Sequence, residues 1–141
     1  MNRLFVFGTL KAGFPLHSRA LSNAAYKGSY KTTERFPMFV AGNWFAPMMM
    51  NEPGTGHHVF GEVYDVEDWR LNLIDEMESI GRPGNLRVTI SVEPISGGIS
   101  RLAMVYMKSR ELAVPVHTQC LKEYYDRRFV PPDRRANTPL R

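Results

Sequence analysis

Near its N-terminus the chain runs Leu4-Phe5-Val6-Phe7-Gly8-Thr9-Leu10, four apolar residues of strand-like character followed by a glycine. This pattern predicts a buried strand that ends in a tight turn at an edge of the core. Because glycine tolerates a sharp change of direction, the backbone N–H groups that follow it can converge, and converging N–H groups bind a carboxylate or an oxyanion. A simple strand end has the same pattern, and the spacing alone leaves both interpretations open.

Strand-like and helical segments are mixed along the rest of the chain. Strands are expected at residues 26–33, 37–41, 45–50, 58–66, 86–95 and 101–107. Helices are expected at residues 17–25, 65–77 and 117–128. Glycine and proline separate many of these runs, as they do in a curved and partly irregular sheet. The pattern therefore predicts one α+β domain.

The clearest helix is the one predicted over residues 65–77. Its apolar side chains recur at helical spacing and are expected to pack on the sheet: Val66, Trp69, Leu73, Ile74 and Met77. The segment Gly81-Arg82-Pro83-Gly84 cannot continue a helix. Glu78 is therefore expected at the helix end, facing a turn.

Three carboxylates, those of Asp75, Glu76 and Glu78, fall at the C-terminal end of this helix. The helix dipole disfavours negative charge there, and apolar neighbours would raise the pKa of a carboxyl group further. A raised pKa suits a group that takes up and returns a proton near neutral pH. Acidic runs are also common on protein surfaces, so these residues alone leave the catalytic interpretation open.

The composition is that of an ordinary globular protein, with 43% hydrophobic and 23% charged residues among 141. With Cys120 as its single cysteine, the chain cannot form an internal disulfide or a thiolate metal site. The apolar stretch near the N-terminus is too short for a signal peptide or a membrane span, so a cytoplasmic location is expected. The histidines lack metal-binding spacing, and no nucleotide-binding motif occurs; neither a metal nor a cofactor is expected.

The net charge of +4 belongs to the end of the chain, because residues 127–141 hold five arginines and one aspartate. The remainder is neutral, unlike a nucleic-acid-binding domain with a basic face. We therefore expect a single domain over residues 1–130 and a solvated basic tail over residues 131–141. A monomer is expected, and nucleic-acid contact by the tail is the weaker alternative.

Three motifs together resemble the γ-glutamyl cyclotransferase-like superfamily. Val6-Phe7-Gly8-Thr9-Leu10-Lys11 is similar to its V-Y-G-T-L-K opening, Gly61-Glu62-Val63-Tyr64-Asp65-Val66 to its central strand, and Leu73-Ile74-Asp75-Glu76-Met77-Glu78-Ser79 to its helix end. The resemblance covers residues 3–107 and is strongest to the γ-glutamylamine cyclotransferases, which are related to plant avirulence-induced proteins. Phe7 replaces the family's tyrosine, and Asn85 occupies a position that is often aromatic.

The resemblance implies a small, barrel-like mixed sheet with flanking helices and a cavity at the barrel mouth. It implies that Glu78 is the catalytic acid/base and that Phe7, Gly8, Thr9 and Leu10 bind the glutamyl part of the substrate. The implied substrate is a small γ-glutamyl amide such as γ-glutamyl-ε-lysine, which is converted to 5-oxoproline and a free amine without a cofactor. The alternatives are a cyclotransferase for other γ-glutamyl peptides or amino acids, and a non-catalytic ligand-binding module of the same fold.

Overall fold

A computed structural model of the protein describes residues 1–135. Its strands are β1 (Asn2–Val6), β2 (Ala25–Thr32), β3 (Met38–Ala41), β4 (Ala46–Met49), β5 (Phe60–Val66), β6 (Asn85–Pro94) and β7 (Arg101–Lys108). Its helices are α1 (His17–Leu21), α2 (Asp68–Met77) and α3 (Pro132–Arg135), with a 3-10 turn at Arg110–Leu112. No helix in the described part of the chain is long and apolar enough to cross a membrane.

Five strands close into a barrel in the order β1-β5-β2-β6-β7. Strand β1 pairs antiparallel with β5, and a parallel contact between Leu4 and Met104 joins β1 to β7 and completes the ring. Strands β3 and β4 form a separate hairpin. The predicted α+β class with a barrel-like sheet and flanking helices is confirmed.

Strand β1 has core on both of its faces, which explains why its sequence is continuously apolar rather than alternating. Phe5 packs inside the barrel with Val63 and Val105. Its neighbours Leu4 and Val6 point to the opposite face, where α1 and α2 cover the barrel. The strand is thereby fixed in position, and with it the turn that follows.

Helix α2 is shorter than predicted, and its buried face agrees with the prediction only in part: Ile74 and Met77 pack as expected, but Trp69 does not. It begins at Asp68, because Asp65 and Val66 continue β5. The buried residues are Arg70, Leu71 and Ile74. The prediction that Trp69 packs on the sheet is wrong: its side chain is 59% exposed and stacks against the Arg70 guanidinium, whose Nη1 donates to the carbonyl of Ala20.

The prediction of a helix over residues 117–128 is wrong: this segment is irregular and contains no helix. The N–H groups of His117 and Leu121 donate to the carbonyls of Val40 and Met38, each at 2.8 Å. Backbone pairing with β3 therefore outweighs the local helix propensity. Helix α1 also ends early, at Leu21, because β2 starts at Ala25.

Candidate active site

The turn Gly8-Thr9-Leu10 is held by hydrogen bonds to all three of its carbonyl groups. The first accepts from the N–H of Lys11 at 3.0 Å, and the second from the N–H of Leu16 at 3.0 Å. The third accepts from Nδ1 of His17 at 2.9 Å. Since each carbonyl is engaged by the protein, the orientation of the whole turn is fixed.

The N–H groups of the same turn have no acceptor in the described part of the chain. Within residues 1–135, none of the three donates to a protein acceptor, and all three residues line a narrow pocket. Gly8 allows this close packing, because a Cβ at that position would lie 2.4 Å from Cγ of Pro47. Backbone N–H donors in residues that line a pocket are suited to holding a carboxylate or a polarised carbonyl oxygen.

Glu78 lines the same pocket from the end of α2. Its N–H donates to the carbonyl of Ile74 at 2.8 Å, and Ser79 then adopts a left-handed conformation with φ of 57°, which ends the helix. The Glu78 side chain retains 18% exposure. Burial raises its pKa, and the positive charge of Lys108 opposes part of that rise.

Lys108 comes from the end of β7, directly across from Asn85 in the β6–β7 register. Its Nζ lies 3.6 Å from Oε1 of Glu78 and donates to Oδ1 of Asn85 at 2.6 Å. Asn85, which departs from the resembled family's aromatic residue, therefore holds the ammonium group beside Glu78. The sheet register places Lys108 opposite Asn85, and the end of α2 places Glu78 beside Lys108.

Asp75, one turn earlier on α2, is occupied by structural contacts. Its two carboxylate oxygens accept from the Tyr106 hydroxyl at 2.7 Å and from Nη1 of Arg87 at 2.6 Å. Burial and the neighbouring Asp75 carboxylate raise the pKa of Tyr106, which keeps the phenol protonated on the pocket wall. Glu76 is exposed to solvent. Of the three clustered carboxylates, Glu78 is the one that lines the pocket.

A larger groove of about 390 Å³ adjoins the narrow pocket. Both cavities are lined by Thr9, Pro47, Glu78 and Lys108, so the groove leads to the Glu78 carboxylate. Its apolar side chains include Trp44, Met48, Leu112, Val114 and Phe129. The volume is within the range usual for small-molecule sites.

The structure brings all the residues predicted for the site, Phe7 to Leu10 and Glu78, to one pocket. Of the two methionines on β4, Met48 lines the groove, whereas Met49 is fully buried in the barrel core. The sequence analysis did not identify Lys108 or Tyr106. Lys108 could have been identified from its position as a cationic residue at the end of an apolar strand. No local sequence feature indicated a role for Tyr106.

With this geometry established, comparison with known proteins identifies the family. A family model described as gamma-glutamyl cyclotransferase, AIG2-like, matches residues 4–127. The chain belongs to this family. The resemblance inferred from the three motifs is confirmed, and the match extends past residue 107, into the segment that pairs with β3.

The curated relatives of the chain within this family include a protein from Bos taurus named gamma-glutamylaminecyclotransferase. It is 36% identical over 126 residues, which are 86% of this chain and 74% of the bovine protein. The Mus musculus protein of the same name is 40% identical over 55% of each chain. A putative gamma-glutamylcyclotransferase from Arabidopsis thaliana is 38% identical over 62% of this chain and 49% of its own length.

Solved structures show the same fold. The crystal structure of an AIG2-like protein from Mus musculus superposes with a TM-score of 0.74 and 33% identity, covering 89% of this chain and 88% of the mouse chain. A structure titled gamma-glutamyl cyclotransferase is more distant, with a TM-score of 0.63 and 16% identity over 77% of this chain and 66% of that one. The barrel is thus shared at low sequence identity.

Proposed function

We propose that the protein is a γ-glutamylamine cyclotransferase that uses Glu78 as its general acid/base. The observation that carries the proposal is that Glu78 lines one pocket with the turn Gly8-Thr9-Leu10, whose N–H groups have no acceptor among residues 1–135. The Glu78 carboxylate can accept a proton while the turn N–H groups hold oxygen atoms of the substrate. Membership of the family and the names of its relatives support the same reaction.

The reaction begins at the free α-amino group of the γ-glutamyl substrate. Glu78 accepts a proton from this group, and the nitrogen attacks the γ-carbonyl carbon of the same molecule. Since nucleophile and electrophile belong to one substrate, holding them in attack geometry lowers the barrier by several kcal/mol. The turn N–H groups donate to the glutamyl group and favour the charge that develops on its oxygen.

The reaction ends when the original amide bond breaks. The attack has already formed the new C–N bond and closed the five-membered ring. Glu78 then returns its proton to the departing nitrogen, the original C–N bond breaks, and the amine leaves 5-oxoproline behind. Both transfers require a carboxyl group whose pKa is nearer to neutrality than usual, and burial of Glu78 acts in that direction. Lys108 acts in the opposite direction and favours the ionised base before substrate is bound.

The identity of the leaving amine is proposed from the names of the relatives and from the apolar lining of the groove. The bovine and mouse relatives are named for γ-glutamylamines, and the groove beside Glu78 has apolar walls that suit an alkyl chain. Comparison of kcat/KM for γ-glutamyl-ε-lysine and γ-glutamyl-alanine tests this assignment. A preference for γ-glutamyl-alanine would reject the γ-glutamylamine substrate and keep the cyclisation.

The acid/base role of Glu78 is tested by the Glu78→Gln variant. The amide is nearly isosteric but cannot accept the proton, so we expect 5-oxoproline release to fall by a factor of roughly 10² to 10⁴, with folding preserved. The measurement is single-turnover release of 5-oxoproline, together with substrate affinity by calorimetry.

Glu76→Gln is the matched control for this experiment. It makes the same chemical change two residues away, on an exposed side chain, and is expected to keep the wild-type rate. If Glu78→Gln retains most of its turnover, or if both variants lose it equally, Glu78 is not the base. A cytoplasmic location, a monomeric state and the domain boundary at residue 130 stay predictions.

A further inference from the structure

The segment that follows the family match forms one wall of the groove. Phe129, Pro132 and Arg135, here called the C-terminal wall, line the groove together with Trp44. The N–H of Val130 donates to the carbonyl of Trp44 at 3.0 Å, which fixes the segment to the loop between β3 and β4. We expected residues 131–141 to be a solvated tail; the described part of that tail, residues 131–135, lies along the groove beside the candidate active site, and residues 136–141 lie outside the described residues.

Arg135 is held in a defined position within this wall. Its Nε donates to the carbonyl of Val130 at 2.8 Å. Its guanidinium stacks over the rings of Trp44 and Phe129, with centroid distances of 5.1 and 5.5 Å. In the described part of the chain, the Nε bond is the one hydrogen bond that the guanidinium donates. Among residues 1–135, no acceptor binds its terminal nitrogens, so within this part of the chain they can donate to a ligand.

Arg135 is also the cation of the groove that has no carboxylate partner among residues 1–135. The other charged side chains that line the groove are Glu78 and Lys108, which lie 3.6 Å apart and compensate each other. With Glu78 ionised, the groove therefore carries one net positive charge, at the C-terminal wall. A planar guanidinium on aromatic rings is well suited to binding a carboxylate through two parallel hydrogen bonds.

We propose that Arg135 is a specificity-determining residue that binds a carboxylate carried by the leaving amine. This inference rests on the proposed cyclotransferase function, because it places the glutamyl group at the Gly8-Thr9-Leu10 turn and the leaving group in the groove. The preferred leaving group is an amino acid joined through an amine distant from its carboxylate, with an alkyl chain that contacts the apolar walls.

The test compares two substrates that differ in one charged group. γ-Glutamyl-6-aminohexanoate and γ-glutamyl-hexylamine have the same scissile amide and the same length of chain, and the first ends in a carboxylate. Shorter ω-amino acids, such as γ-glutamyl-4-aminobutyrate, measure which chain length reaches the guanidinium. The readout is kcat and KM for release of 5-oxoproline by the wild-type protein and by Arg135→Gln.

We expect the wild-type protein to prefer the carboxylate substrate, and we expect Arg135→Gln to lower that preference about tenfold, mainly through KM. Arg135→Lys keeps the charge but loses the planar fork, and should restore part of the preference. Arg134→Gln removes the same charge from the neighbouring exposed side chain and should leave the preference unchanged.

The outcomes separate this inference from the function on which it rests. Release of 5-oxoproline from both substrates with no carboxylate preference, or a preference that survives Arg135→Gln, overturns the role of Arg135 and leaves the cyclotransferase standing. Equal losses for both substrates in Arg135→Gln also overturn it, because they indicate a structural role. If neither substrate releases 5-oxoproline, the proposed function and this inference fail together.

Discussion

Two opposing effects set the pKa of Glu78. Burial at the end of α2 raises its pKa, and the ammonium group of Lys108 at 3.6 Å lowers it. The side-chain amide oxygen Oδ1 of Asn85 accepts a hydrogen bond from that ammonium group and holds it in place. Removing Lys108 leaves burial unopposed, so the pKa of Glu78 must rise.

Lys108→Met is accordingly expected to move the acidic limb of the pH profile of kcat/KM to higher pH. A base works only above its pKa, and that limb reports the pKa of the free enzyme's base. Lys122→Met is the control, because it removes a lysine whose side chain is exposed and should leave the limb in place. An unmoved limb, or one moved to lower pH, would show that Glu78 is not the group it reports.

At the scale of elements, the site lies where independent segments end. Strand β1 delivers the turn, α2 delivers Glu78, and β7 delivers Lys108. The C-terminal wall is the least anchored of these parts, because it is joined to the β3–β4 loop through the backbone bond to Trp44 and through aromatic stacking. The wall can therefore be removed without interrupting the barrel.

Removal of residues 131–141 is expected to keep 5-oxoproline release but to raise KM for long leaving groups, roughly three- to tenfold. The reason is the loss of Pro132 and Arg135 from the groove. A truncation after Arg135 is the control, since it keeps every described residue of the wall. Steady-state kinetics with γ-glutamyl-6-aminohexanoate and with a γ-glutamyl-methylamide measures the difference.

If both substrates lost activity equally in the longer truncation, the segment would be part of the catalytic machinery rather than a wall for the leaving group. If the shorter truncation had the same effect as the longer one, the contribution would come from residues 136–141. Repeating the assay at two salt concentrations separates long-range attraction, which salt screens, from direct contact.

At the scale of the whole molecule, the barrel and the helices share β1 as a common wall. The inner cluster fills the barrel, and the outer cluster joins β1 to α1 and α2. Ile74 is completely buried in the outer cluster, one turn before Glu78. Packing of this single side chain therefore both stabilises the fold and fixes the end of α2.

Ile74→Ala is expected to lower the free energy of unfolding by about 2–5 kcal/mol, the usual effect of deleting a large buried aliphatic side chain. Leu102→Ala, at a side chain that is 65% exposed, should change it by less than about 0.5 kcal/mol. Urea unfolding followed by circular dichroism measures both. Similar effects of the two substitutions would contradict the packing of α2 on the barrel.

The sequence by itself determined the local features of this protein. The apolar run followed by Gly8 predicted the buried strand and the turn. The segment from Gly81 to Gly84 predicted that α2 ends at Glu78. Residue type alone was sufficient for both predictions, because glycine and proline directly determine which backbone conformations are possible. Recognition of three motifs in order predicted the family and the barrel.

Only the tertiary structure decided which distant residues meet. The β6–β7 register placed Lys108 opposite Asn85. Barrel closure buried one face of β1, and packing of α1 and α2 buried the other. Pairing with β3 held residues 117–121 out of the helix that local propensity predicted. Arg135 likewise reached the groove through a contact between distant segments, the backbone hydrogen bond from Val130 to Trp44. Contacts of this kind depend on pairing and packing between segments far apart in the chain, and such contacts leave no periodic signal in either segment.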